Sequence, residues 1–147
     1  MNLNRRKMLT TSFGIATLLC GRQVFAKPED VEAAIKSIAG DIEVGTGAVK
    51  LNAPEIAENG NGVPISVTVD SPMTEDAYVE SVALFADGNP LPEVVVFNFT
   101  PASGEAYAST RMRLAKTQNV VAVAKMSDGS VFSDTRNVKV TIGGCGG

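Results

Sequence analysis

Between Gly47 and Ile142 apolar side chains return at every second residue in short runs, and most runs stop at glycine, proline, asparagine or aspartate. A period of two lines one face of an extended strand, so the pattern calls for sheets that each bury a face. Ile65, Val67 and Val69 alternate with Ser66, Thr68 and Asp70. Other runs cover 48–52, 78–85, 93–99, 106–114, 120–126 and 137–142, with Val131 and Phe132 as a short one of their own. Ala86, Asp87, Gly88, Asn89 and Pro90 form a strong turn signal between 78–85 and 93–99, and Asp128 with Gly129 turns the chain before Val131. Seven or eight short strands at this spacing predict an all-β fold, an immunoglobulin-like antiparallel β-sandwich. Without tryptophan it lacks the antibody hallmark.

One helix is expected, over Pro28–Ala39. Proline opens it, Glu29 and Asp30 sit in its first turn, Val31, Ala34, Ile35 and Ile38 recur at helical spacing, and Gly40 stops it. That apolar stripe reads as a docking face for the core. Two strand runs, Val94 to Phe97 and Val120 to Ala124, are apolar on consecutive residues. One of them is therefore expected to be covered on both faces, by the helix or by a partner.

Residues 1–26 read as an export leader. Arg5, Arg6 and Lys7 precede a mildly apolar segment that contains Thr10, Thr11, Ser12, Gly14 and Thr17, and Ala26 offers a small residue for cleavage. Paired arginines before a weakly hydrophobic segment point to the twin-arginine route, which moves folded proteins, and hence to the periplasm. Cys20 stands after Leu19, which is too large for a lipoprotein cleavage box, so it is expected to leave with the leader. The rest, 121 residues, suits one domain over 27–142 and carries 9 basic against 16 acidic residues, a formal net of −7. That charge argues against nucleic-acid binding.

The middle of the chain offers little chemistry. Glu55 and Glu58 lie near the glycine and asparagine loop at 59–62 with no histidine to join them, and read as solvated acids. Arg111 and Arg113 share a strand face with Ser109 and read as an exposed face. Asn98, Phe99 and Thr100 match a glycosylation pattern that a bacterial type of leader makes irrelevant.

The chain ends Gly143, Gly144, Cys145, Gly146, Gly147. Glycine samples both signs of φ and adds no side chain, so residues 143–147 are expected to form a flexible arm that holds one thiol out from the sandwich. From Ile142 to Cys145 the arm spans at most roughly 10 Å. An unassisted thiol has a pKa of about 8.5, and the chain has no histidine to serve as its base. The sulfur thus reads as an attachment point and not as a catalyst. Once Cys20 is gone it has no partner for an internal disulfide.

The leader, the run Pro54, Glu55, Ile56, Ala57, Glu58, Asn59, Gly60 before an alternating strand, the segment Arg111 to Lys116 with Val120 to Ala124, and the terminal glycines around Cys145 together resemble the SoxY family of sulfur carriers in the periplasmic thiosulfate-oxidising system. The resemblance covers essentially all of the chain after the leader. It implies covalent attachment of sulfur intermediates at Cys145, with Gly143, Gly144, Gly146 and Gly147 as the arm. It also implies a heterodimer with a SoxZ-like subunit and passing contacts with a haem enzyme, SoxXA, a manganese hydrolase, SoxB, and where present a sulfane dehydrogenase, SoxCD. The carrier is expected to hold no metal or other cofactor of its own, to be acted on without being an enzyme, and to stay off the membrane after leader removal.

Two other readings stand beside this one. A structural periplasmic sandwich would use the terminal thiol for an interchain disulfide, and an autonomous thiol enzyme would need a base that the chain does not supply. The mass of the C-terminal peptide separates carrier from structural protein.

Overall fold

The computed structural model describes residues 25–144. One helix, α1 (Pro28–Ala39), is followed by eight strands: β1 (Val49–Asn52), β2 (Ile56–Asn59), β3 (Val63–Val69), β4 (Val79–Ala86), β5 (Glu93–Asn98), β6 (Ala106–Met112), β7 (Gln118–Met126) and β8 (Val131–Ile142). The helix has the expected bounds. Asp30 Oδ2 accepts the Lys27 N–H at 2.7 Å, and Gly40, at φ 64°, donates its N–H back to Lys36. A side chain with a Cβ is strained at that φ, which is why the stop is a glycine.

The strands form a sandwich of a three-stranded sheet, in the order β1, β3, β6, and a five-stranded sheet, in the order β2, β8, β7, β4, β5. Leu51, Val63, Ile65 and Val67 of the small sheet pack with Val82, Leu84, Val120, Ala122 and Val138 of the large one. These are the inward positions of the alternation. A second cluster lies on the outer face of the large sheet, where Val31 and Ala39, with the half-buried Ala34, Ile35 and Ile38, cover Ala83, Phe85, Val121 and Val123. The consecutive apolar residues of β7 are thus explained, because β7 lies between β8 and β4 with the small sheet on one side and α1 on the other. β5 is different: Val95 and Phe97 face the core, while Val94 and Val96 remain exposed at the sheet edge.

The pairing is not purely antiparallel as expected. β2 runs parallel to β8, with Ile56 opposite Lys139 and Ala57 opposite Val140. The chain forms this short strand just ahead of the glycine and asparagine loop, and residues 131–142 make one long strand where two short runs were expected. β8 needs that length because it pairs with β7 along 131–138 and with β2 along 139–142. Its early part also ties the two sheets together: Asp134 accepts the Leu51 N–H at 2.9 Å, and Arg136 Nε donates to the Leu51 carbonyl at 3.1 Å. At one end of β7 the Asp128, Gly129 turn leads into β8; Gln118 lies at the other end.

Candidate functional site

Parallel pairing brings the ends of β2 and β8 out at the same place. Gly60, just past β2, donates its N–H to the Ile142 carbonyl at 2.7 Å, and its own carbonyl accepts the Leu114 N–H at 2.8 Å. The Leu114 carbonyl in turn accepts the Gly144 N–H at 2.9 Å. The loop between β6 and β7 therefore grips the chain beyond β8 through Leu114. Val140 is held as well, by the Thr117 hydroxyl at 2.9 Å.

Of the arm expected over residues 143–147, the structure describes Gly143 and Gly144, and both lie against the loop between β6 and β7. Gly144 is buried, and a Cβ on Gly143 would lie 2.1 Å from the Ala115 carbonyl oxygen. On Gly144 it would lie 2.8 Å from the Gly60 oxygen, and on Gly60 2.2 Å from the Leu114 oxygen. Real Cβ atoms do not approach backbone so closely, so these three glycines permit contact between chain segments. Cys145, Gly146 and Gly147, together with residues 1–24 of the expected leader, lie outside the described residues.

The gripping loop is fixed from within by two buried amides, neither of which stands out in the sequence. Asn89 Nδ2 donates to the Arg113 carbonyl at 2.8 Å, and its Oδ1 accepts the Ala115 N–H and Gln118 Nε2, both at 3.0 Å. Gln118 Nε2 also donates to the Lys116 carbonyl at 3.0 Å, while Oε1 accepts the Gly88 N–H at 2.8 Å. Burying such groups is costly unless they are paired, and here they are. Ala26 joins this cluster by donating its N–H to the Asn89 carbonyl at 2.7 Å, and Lys116 Nζ lies 5.1 Å from the centre of the Phe25 ring.

The other residues singled out from the sequence add no chemistry to this place. Glu55 and Glu58 are exposed, and among the described residues no three His, Cys, Asp or Glu side chains gather as a metal site. Arg111 Nη1 is engaged with the Gly62 carbonyl at 2.9 Å, and Arg113 follows the end of β6.

A family model described as sulfur oxidation protein SoxY matches residues 35–145, three quarters of the chain and up to the cysteine itself. The chain belongs to the SoxY family. Among solved structures, the sulfur carrier protein SoxY from Chlorobium limicola f thiosulfatophilum superimposes with a TM-score of 0.65 and 34% identity over 78% of this chain and 98% of that one. A superoxide reductase (neelaredoxin) from Ignicoccus hospitalis gives 0.57 at 19% identity, covering 79% and 94%. A putative superoxide reductase from Thermotoga maritima gives 0.55 at 21%, covering 67% and 87%. The superoxide reductases share the sandwich with this SoxY chain, and at those identities only the fold. No curated protein matches by sequence.

Proposed function

We propose that this SoxY-family chain is a covalent carrier of sulfur intermediates, with Cys145 as the attachment point. The observation that carries the reading is the family match, which ends on that cysteine. The solved relative with 34% identity is described as a sulfur carrier protein, in agreement with it. In the first step the thiol and thiosulfate join through a new S–S bond. The thiol proton and two electrons leave, the electrons going to a haem enzyme of the SoxXA type. Water then cleaves the terminal S–S bond, giving sulfate and a persulfide on Cys145, a step for a SoxB-type hydrolase. Where a SoxCD-type dehydrogenase is present, it oxidises the sulfur that remains.

The chain supplies position and not catalysis in this scheme. Tethering keeps the intermediate from diffusing away and raises its effective concentration at successive enzymes. The working form is a heterodimer with a SoxZ-like subunit, in the periplasm after twin-arginine export, and the carrier holds no metal.

Mass spectrometry of the C-terminal peptide, after incubation with thiosulfate and the oxidising enzymes, tests the reading. Thiosulfate and persulfide adducts on Cys145 are expected, and Cys145→Ser should abolish both adducts and turnover with the fold intact. A peptide found only as an interchain disulfide dimer, or thiosulfate oxidation with only the serine variant present, would overturn it.

A further inference from the structure

The cleavage junction expected at Ala26 is built into the fold. Ala26 is 7% exposed, and its N–H donates to the Asn89 carbonyl at 2.7 Å. Lys116 Nζ lies 5.1 Å from the centre of the Phe25 ring, within reach of a cation–π contact. Phe25 and Ala26 are therefore held by the Asn89 turn and by the loop between β6 and β7, which the Asn89 and Gln118 amides fix from within. On the other side of the junction the Lys27 N–H goes to Asp30 Oδ2 at 2.7 Å, and Pro28 opens α1. A peptidase that removes a leader takes the small side chain before the cut into a pocket of its own. While Ala26 is buried in its own domain, its side chain is not available for that pocket.

We infer that the folded chain seats its own cleavage junction, so that a leader peptidase cuts only the fraction in which Phe25 and Ala26 have left Lys116 and Asn89. The purpose rests on the reading of residues 1–26 as a leader, though the seat is a matter of geometry. One hydrogen bond and one ring contact make the open form about tenfold rarer than the seated one, so the seat slows the cut without blocking it. A chain exported already folded, as the twin-arginine route requires, meets the peptidase in this seated form. In the cut, water adds across the Ala26–Lys27 amide and leaves a carboxylate on Ala26 and an ammonium on Lys27. That ammonium forms where the Lys27 N–H already meets Asp30, so the bond becomes charge-assisted and α1 keeps its cap. Phe25 and Ala26 lose their tie to the helix, and their departure uncovers the Asn89 carbonyl and Lys116.

The full-length chain tests this through two readouts. Amide exchange followed by NMR reads the seat: the Ala26 N–H is expected to exchange about tenfold more slowly than in a free peptide covering residues 9–32, and an equal rate overturns the seat. Timed cleavage by a purified leader peptidase reads the consequence. Lys116→Ala leaves the cut sequence untouched and should speed the cut about threefold. Phe25→Ala should speed it in the folded chain and not in the free peptide. Val79→Ala, at the far end of β4, loosens the fold without touching the seat and should leave the rate unchanged. A rate unmoved by Lys116→Ala, raised by Phe25→Ala equally in chain and peptide, or raised as much by Val79→Ala, overturns the braking role. The first residue of the product reports the leader reading separately: a slow Ala26 amide with a product that does not begin at Lys27 sinks the leader boundary alone, and a product that begins at Lys27 from a chain whose Ala26 amide exchanges freely sinks the seat alone.

Discussion

Gln118 Nε2 donates to Asn89 Oδ1 at 3.0 Å, joining two buried side chains 29 residues apart in the chain. Each amide also bonds the backbone of the loop that separates β6 from β7. Removing one amide orphans several interior groups at once, and an unsatisfied buried group costs about 1–3 kcal/mol. Asn89→Ala should therefore lower stability by about 3 kcal/mol in urea unfolding. A loss below about 1 kcal/mol would mean that water replaces the amide, and that the loop is not held from within.

Gly60 and Gly143 both meet carbonyl oxygens at about 2 Å when given a Cβ, yet their substitutions should differ. Gly60 lies between β2 and β3, where the chain cannot peel away, and Gly60→Ala should cost about 2–3 kcal/mol. Gly143 follows the last strand and can lift off, so Gly143→Ala should cost under about 0.5 kcal/mol. Unfolding midpoints of the two variants check this, and equal losses would contradict it.

The link between the sheets through Leu51 makes another prediction. Asp134→Ala leaves the N–H of the buried Leu51 unpaired and removes the 3.4 Å ion pair with Arg136, and should cost about 2 kcal/mol. Asp134→Asn retains an acceptor and should cost about 1 kcal/mol or less. If both cost the same, charge and not the hydrogen bond dominates. Calorimetry on the pair decides it.

Asp128 titrates below its ordinary value because the Ser130 hydroxyl, first, and the Ser130 N–H donate to its carboxylate. A carboxyl whose folded pKa is depressed favours the fold above its unfolded pKa, and that contribution fades as pH falls from the ordinary 3.8 through the lower folded value. The group is fully exposed, so the effect is small. Ser130→Ala should raise the Asp128 pKa toward the ordinary carboxylate value, read by NMR titration of its side chain; an unchanged midpoint would rule out the hydroxyl as the main cause.

Phe85 is fully buried between β4 and α1. Phe85→Ala should cost about 3–5 kcal/mol and make α1 the first site of protease cleavage. Cleavage that begins elsewhere would show that the helix is held by more than this ring.

Much of this was legible from residues alone. Pro28, Glu29, Asp30 and Gly40 each signal the same helix, and its bounds follow. The doubly apolar runs at 94–97 and 120–124 announced a covered strand, but periodicity within one strand says nothing of its neighbours, so only the sheet order shows that β7 is the covered one and β5 the edge. β2 was hidden because it is four residues long, has Ala57 as its single inward side chain, and pairs with a strand some 80 residues away. Asn89 was hidden for another reason: inside Gly88, Asn89, Pro90 it reads as a turn former, and its partners lie 24 to 29 residues further on. The glycines at 60, 143 and 144 were visible, though as sources of freedom, whereas the fold uses them for close approach.

The turn at Asp128 and Gly129 lies at the opposite end of β7 from Gln118, about 27 Å away at about 3.4 Å per residue. That separation makes it the natural place for an affinity handle or a fluorophore. A label spliced there would let the protein be captured on a sensor chip with the contacts among Gly60, Leu114 and Gly144 facing the solution, whereas a tag fused after Gly147 would add mass next to Cys145.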